Sequence, residues 1–403
     1  MKAKSYQPNI FLSSTAIYLV MIVFLSACHR TSSVITFCDT VTGATTWSNH
    51  RDGVDYIISC PISVEALLTI EPGTEIEFAS GAGIIVSNTG SIKAVGTFSQ
   101  KISMHGSTDV AGSWKGIFLN TSSLNNKFDF CTISGGGQSS FDGHTDWKAN
   151  LRVALSARVE LTNCDISKSG KDGVYVEGFD SDEQNSITSF SNNTFTGNLN
   201  YPLSILGATV NELDASSVYI GNTIDKVLVR GGRLFGAHVW KKLGVHYLVQ
   251  DILSVGYYAD NGNLTVNPGV TIEFAGGAGL CTGDYSTGSW MKLNGSSPPN
   301  VITLTGETAL AGWWKGIAFQ STSPNNQISY TIIEYGGHSS YTGNTAQRGN
   351  IMAGAWSAGS FSIENSNITN SAAYGVYATL APSIFLPVSM FYQNNVSGNY
   401  YHE

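Results

Sequence analysis

The chain predicts an all-β solenoid, a stack of coils made of short strands. Three observations carry this: the sequence occurs twice, its apolar residues alternate in short runs, and side chains recur in register between successive segments.

The duplication comes first. LTIEPGTEIEFASGAG begins at Leu68 and LTVNPGVTIEFAGGAG at Leu264, an offset of 196. Trp114-Lys115-Gly116-Ile117 returns as Trp314-Lys315-Gly316-Ile317, and Gly136 and Asn150 return as Gly336 and Asn350, all at an offset of 200. Within each copy, runs such as Thr271-Ile272-Glu273-Phe274 and Val174-Tyr175-Val176 alternate apolar and polar and are separated by Gly, Asn and Ser clusters. Alternation with such punctuation means short strands. No segment after the N-terminal region has helical periodicity with caps.

Side-chain columns argue for stacking. Cys131-Thr132-Ile133-Ser134 and Cys164-Asp165-Ile166-Ser167 match in pattern, and Asn pairs recur at Asn125-Asn126, Asn192-Asn193, Asn325-Asn326 and Asn394-Asn395. Asn tolerates left-handed backbone and bonds its own turn, which suits corners between strands. Units that recur every few tens of residues and cannot bury their own face stack into a solenoid. Two β-sandwiches are the alternative, but sandwich strands do not usually repeat with matching side chains.

The N-terminus is basic at Lys2 and Lys4, and an apolar stretch runs from Ala16 to Leu25. That is a signal-peptide core, too short to span a bilayer. Leu25-Ser26-Ala27-Cys28 resembles the lipobox of bacterial lipoproteins, which implies cleavage before Cys28 and lipid on its thiol. The expected division is a signal peptide at 1–27, a tether at 28–45, a first solenoid half at 46–222, and a second at 223–403, continuous with the first. His29 follows the cysteine where an Asp would suggest inner-membrane retention, so the outer membrane or cell surface is expected.

Only 12% of the 403 residues are charged, and the formal net charge is −8. An acidic chain repels phosphate backbones, so nucleic acid is not an expected partner. Six cysteines are present. With Cys28 assigned to lipid, Cys38 and Cys60 are candidates for a disulfide near the solenoid's first coil, two free thiols being the alternative. Cys131 and Cys164 are expected to stack inward and stay reduced. No CxxC pair exists and the histidines are scattered, so neither a metal nor another cofactor is expected.

These features together resemble bacterial right-handed parallel β-helix repeat proteins, many of them lipoproteins. The segments that carry the resemblance are LTIEPGTEIEF with LTVNPGVTIEF, GSWKGIFL with GWWKGIAF, and NNTFTGN with NNVSGN. It covers about residues 54–400 and implies a right-handed parallel β-helix (β-solenoid) built from two homologous halves. It implies no particular reaction.

Parallel β-helices host polysaccharide lyases and glycosidases, and glycoside hydrolysis generally needs two carboxylates about 5–9.5 Å apart. Asp180-Ser181-Asp182-Glu183 reads as a solvated loop and has no counterpart in the second copy. Lys115 and Lys315 are kept in both copies, but the alternation places them toward solvent beside inward Trp and Ile. Glu77 and Glu273 likewise read as outward scaffold residues, and the sequence identifies no catalytic residue.

The duplicated loops at 135–150 and 336–350 are the better candidates for ligand contact, because solenoid insertions often gather on a binding face. Phe141, His144, Trp147, His338, Tyr341 and Arg348 are the candidate ligand-binding residues, with a loop that merely shields its own coil as the alternative. Their constant offset predicts that both loops project from one side. The second copy stops at Tyr400-Tyr401-His402-Glu403, so an uncovered coil is expected at that end. The functional expectation is a lipid-anchored structural or adhesive surface module. Its partners would be the membrane through the lipid and polysaccharide or another surface protein. A lyase or hydrolase working in a groove is the alternative.

Overall fold

The computed structural model describes residues 33–402, apart from 88, 179–185, 284–287, 355, 380–383 and 386–389. The expected signal peptide, Cys28 and the acidic run at 180–183 lie outside the described residues.

The chain folds as a parallel β-solenoid whose coils pass through three faces. Among the described residues, one sheet of thirteen strands runs the whole length, from Pro61–Val64 to Phe391–Gln393. In the first half a leading flank of seven strands precedes it in each coil, from Ile35–Phe37 to Thr194–Thr196, and a trailing flank of six follows, from Thr45–Trp47 to Ile187–Ser191. In the second half the trailing flank holds seven strands, from Gly232–Leu234 to Gly398–His402, and the leading flank six, from Gly236–Trp240 to Ile384–Phe385. The ladders within these sheets are parallel.

Alternation explains the core. In Glu75–Phe78, Ile76 and Phe78 are fully buried while Glu75 and Glu77 point outward. Phe78 stacks on buried Trp114 at 3.9 Å between centroids, and Phe274 stacks on Trp314 at 4.1 Å. Each indole nitrogen finds an acceptor, the carbonyl of Ser134 at 2.8 Å and that of Glu334 at 2.8 Å. Each large apolar side chain buried this way contributes about 1.5–3 kcal/mol.

Asparagines hold the coils in register. The second Asn of each pair turns inward and accepts a backbone N–H from the preceding coil: Asn126 from Ile92 at 3.1 Å, Asn193 from Cys164 at 3.0 Å, Asn326 from Met291 at 3.0 Å, and Asn395 from Ser371 at 3.1 Å. Asn192 and Asn394, the first of their pairs, take φ of 54° and 56°, the left-handed corner. A buried backbone donor left unpaired would cost about 1–3 kcal/mol, so each Asn stabilises the turn beneath it.

The two copies do not share a face. Glu75–Phe78 lies in the leading flank, whereas its counterpart Thr271–Phe274 lies in the continuous sheet. Ile117–Leu119 lies in the continuous sheet, and Ile317–Phe319 in the trailing flank. The junction causes this. Leu203–Ile205 and Lys226–Val229 are adjacent strands of the continuous sheet, with a 3-10 helix, Gly207–Glu212, and a bridge from Val218 to Thr194 between them. The second copy therefore starts its pattern one face later. The expectation that both loops project from one side is overturned. The first joins the leading flank to the continuous sheet, between Cys131–Ser134 and Ala149–Val153. The second joins the continuous sheet to the trailing flank, between Thr331–Glu334 and Gly349–Ala353. A constant offset fixes position within a copy but not its angular phase.

The start of the solenoid also differs from expectation. Ile35–Phe37 already pairs with Tyr56–Ile58, so 28–45 is not wholly a tether. Cys38 and Cys60 form a disulfide with their Cα atoms 5.3 Å apart, joining these first coils. Cys131 and Cys164 are buried and free, and burial pushes the Cys131 thiol pKa up.

Candidate functional site

The outward row of the continuous sheet in the first copy contains Ile85, Phe118, Arg152 and Tyr175, in that register. Its equivalent in the second copy lies on the trailing flank: Cys281, Ala318, Met352 and Tyr377. The duplicated loops fold over these rows.

Each loop is pinned in the same way. At its base the Asn150 side chain accepts the Gly136 N–H at 2.6 Å, and Asn350 accepts that of Gly336 at 2.7 Å. Its aromatic residue then drops onto a glycine. A Cβ on Gly83 would lie 2.7 Å from Phe141 Cζ, and one on Gly279 would lie 2.0 Å from the Tyr341 hydroxyl oxygen. That hydroxyl donates toward the carbonyls of Gly316 at 2.8 Å and Leu280 at 3.2 Å. Lys115 Nζ donates to the Ser140 carbonyl at 3.3 Å, and Lys315 Nζ to Ser339 Oγ at 2.8 Å. Each ammonium stands 5.4 Å from the centroid of its loop aromatic. The lysines, expected in open solvent, are half-buried loop anchors because the loop folds back over the strand that presents them. Burial lowers the Lys315 pKa.

Charge secures the first loop. Arg152, with its side chain 3% exposed, pairs through Nη2 with Asp142 at 2.5 Å and through Nε with Glu177. Its guanidinium lies 4.2 Å from the centroid of Phe118 and 4.6 Å from that of Trp147. Burial pushes the Asp142 carboxyl up, but the guanidinium more than reverses this and holds it at about 2. Glu177 answers to the same cation yet shifts upward, because its deeper burial outweighs Arg152. The half-exposed Asp142 keeps its charge more readily than Glu177, whose side chain is 16% exposed. Further along the same sheet, Arg230, just after Lys226–Val229, donates to the Tyr175 hydroxyl at 2.8 Å.

Asp172 completes a group of three carboxylates near these arginines. Its Oδ1 accepts from Asn200 Nδ2 at 2.8 Å and from the Tyr201 N–H at 3.2 Å, which fixes the next corner. Burial pushes its pKa up to about 6 against these bonds. A folded pKa above the unfolded value means that the native state holds the proton longer, so stability falls as pH rises between about 4 and 6. Asp172→Asn keeps the accepting oxygen and removes the buried charge. The variant is expected to be more stable at pH 7.5 by on the order of 2 kcal/mol and to lose that pH dependence. Denaturant unfolding at pH 4.5 and 7.5 checks this; equal stability gaps at both values would refute it.

Beside Tyr341 the second copy's face opens into a depression of about 240 Å³, lined by Arg233, Ile252, Tyr257, Cys281, Tyr341 and Trp356 among others. The Arg233 guanidinium lies 3.6 Å from the Tyr257 centroid, and Tyr258 packs edge-on behind at 4.3 Å. Trp356 is 41% exposed and presents an open ring. Arg233 forms no ion pair with a carboxylate among the described residues. An open indole, an apolar floor and a fixed cation can together hold a flat, polar ligand.

The residues singled out from sequence divide. Tyr341, expected as a contact ring, is 8% exposed and lines the depression as part of its wall. Phe141 and Trp147 are half-buried, Trp147 between Arg152 and His144, whose ring lies 3.9 Å away. His144 and His338 are exposed, and Arg348 is half-buried with Nε lacking a hydrogen bond. The two loops sit at different corners, so these six residues do not converge. Sequence reading missed Arg233, Tyr257 and Trp356. Trp356 had one usable signal, since Ser156 stands at its equivalent in the first copy.

No protein-family model and no curated protein matches the chain. Among solved structures, the TibC-catalysed hyper-glycosylated TibA55-350 fragment aligns over 91% of this chain and 100% of its own, at 10% identity and a TM-score of 0.25.

Proposed function

We propose that the chain is a lipid-anchored, extracytoplasmic structural or adhesive module that recognises polysaccharide on the trailing face of its second half. The single observation that carries the binding role is that the exposed Trp356, the Arg233 guanidinium and apolar Ile252 and Cys281 line one depression. Sugar rings present an apolar face that stacks on an indole, worth on the order of 1 kcal/mol beyond the area covered. The anchor rests on the lipobox at Leu25-Ser26-Ala27-Cys28, and His29, where an Asp would suggest inner-membrane retention, supports the outer membrane or cell surface. Trp356→Ala is expected to weaken binding to surface polysaccharide about tenfold, since ~1.4 kcal/mol is a tenfold change. Its melting temperature should not move. Cys28→Ala should abolish fatty-acid labelling. Unchanged affinity in the first variant removes the binding role, and unchanged labelling in the second removes the anchor.

Asp142, Asp172 and Glu177 on neighbouring coils favour a second reading, polysaccharide cleavage on the first half. Each already has protein partners, which sets it behind binding. New reducing ends or unsaturated products that vanish in Asp172→Asn would reverse the order.

A further inference from the structure

We infer that the depression selects an acidic sugar, with a carboxylate of the glycan on the Arg233 guanidinium and its ring on Trp356. This rests on the polysaccharide-binding reading and narrows it to a ligand class.

The argument starts from charge. The chain is acidic overall, with a formal net charge of −8, and several outward cations already meet an acid. Arg152 has Asp142 and Glu177, Lys226 has Glu273 at 2.6 Å, Lys127 has Glu160 at 2.9 Å, and Lys101 has Asp165 at 2.6 Å. Arg233 differs: half-buried, it lines an open depression and pairs with no carboxylate among the described residues. Its orientation is fixed by contact with Tyr257 at 3.6 Å, which in turn is backed by Tyr258. A guanidinium held flat in this way keeps its fork of donors for a planar acceptor, and little conformational freedom is lost when a carboxylate arrives. A neutral sugar would cover the cation without answering its charge, and that desolvation opposes binding. A uronic acid answers both features, placing its ring over Trp356 and its carboxylate at Arg233.

The test uses the full chain in titration calorimetry with three probes: an oligogalacturonate, the same oligomer fully methyl-esterified, and a neutral gluco-oligosaccharide of equal length. The free acid is expected to bind at least tenfold more tightly than either neutral probe and to weaken with added salt. Arg233→Met should remove that preference, and Arg233→Lys should restore only part of it, because an ammonium keeps the charge without the fork. Circular dichroism confirms that each variant folds. If ester and acid bind equally, or Arg233→Met leaves the preference intact, the acidic-sugar inference fails while polysaccharide binding stands. If none of the three probes binds, both fail.

Discussion

Arg152→Met is expected to destabilise the protein by about 3–5 kcal/mol at neutral pH, the cost of breaking a buried ion pair from one side. The guanidinium is nearly inaccessible and is shared by Asp142 and Glu177. Methionine fills much of its volume and can pack against Phe118 and Trp147, so lost packing is a minor part of the deficit. The larger part is the Glu177 carboxylate, left buried without its cation. Burial already raises the Glu177 pKa with Arg152 present, and removing the cation raises it further. The deficit should therefore shrink as pH falls and Glu177 takes up a proton.

The second copy supplies the control. Thr342, Met352 and Thr379 stand where the first copy has Asp142, Arg152 and Glu177, so that half closes its loop without this ionic group. The triple variant Asp142→Thr, Arg152→Met, Glu177→Thr should recover to within about 1 kcal/mol of the parent, because exchanging a whole buried ionic group for neutral residues is often close to neutral. Urea unfolding of single and triple variants at pH 7 decides the matter. A single variant that loses less than about 1 kcal/mol, or a triple one as weak as the single, would mean that Arg152 does not latch the loop.

Strands, duplication and stacking were legible in the sequence because they follow from local alternation. Ile76 and Phe78 face inward for the same reason that Glu75 and Glu77 face outward, and repeated copies make that pattern hard to mistake. Angular phase was not legible. It depends on 201–225, where a 3-10 helix and one bridged residue replace two regular strands and the period disappears. The inward Asn residues were readable as turn formers, but not as acceptors for the preceding coil, which requires knowing which turns stack. Lys115 and Lys315 show how local reasoning stops short. Alternation does point them outward, and only the tertiary return of each loop covers them. The depression was the least legible part. Arg233, Tyr257 and Trp356 come from separate coils, and nothing in local pattern joins them.

Tyr341→Ala should cost about 3–5 kcal/mol, as expected for a large aromatic ring removed from a packed site. The ring is 8% exposed and packs with Cys281, Ala318, Met352 and Tyr377 in a small apolar cluster on the outside of the trailing flank. Removing it opens a hole in that cluster and frees the second loop from Gly279. Tyr341→Phe isolates the hydroxyl and should cost only about 1 kcal/mol, the worth of a typical hydrogen bond. Phe141 does the equivalent work in the first copy without a hydroxyl, so the ring rather than its oxygen is the main pin. Gly279→Ala attacks the same contact from beneath. Its Cβ would fall 2.0 Å from the Tyr341 oxygen, which forces the ring outward. Thermal unfolding and limited proteolysis within 335–348 measure both consequences, and loop cleavage should rise in Tyr341→Ala and Gly279→Ala but not in Tyr341→Phe. If Tyr341→Ala unfolds within about 0.5 kcal/mol of the parent, the range of an ordinary surface change, the ring packs nothing that matters and is free to meet ligand.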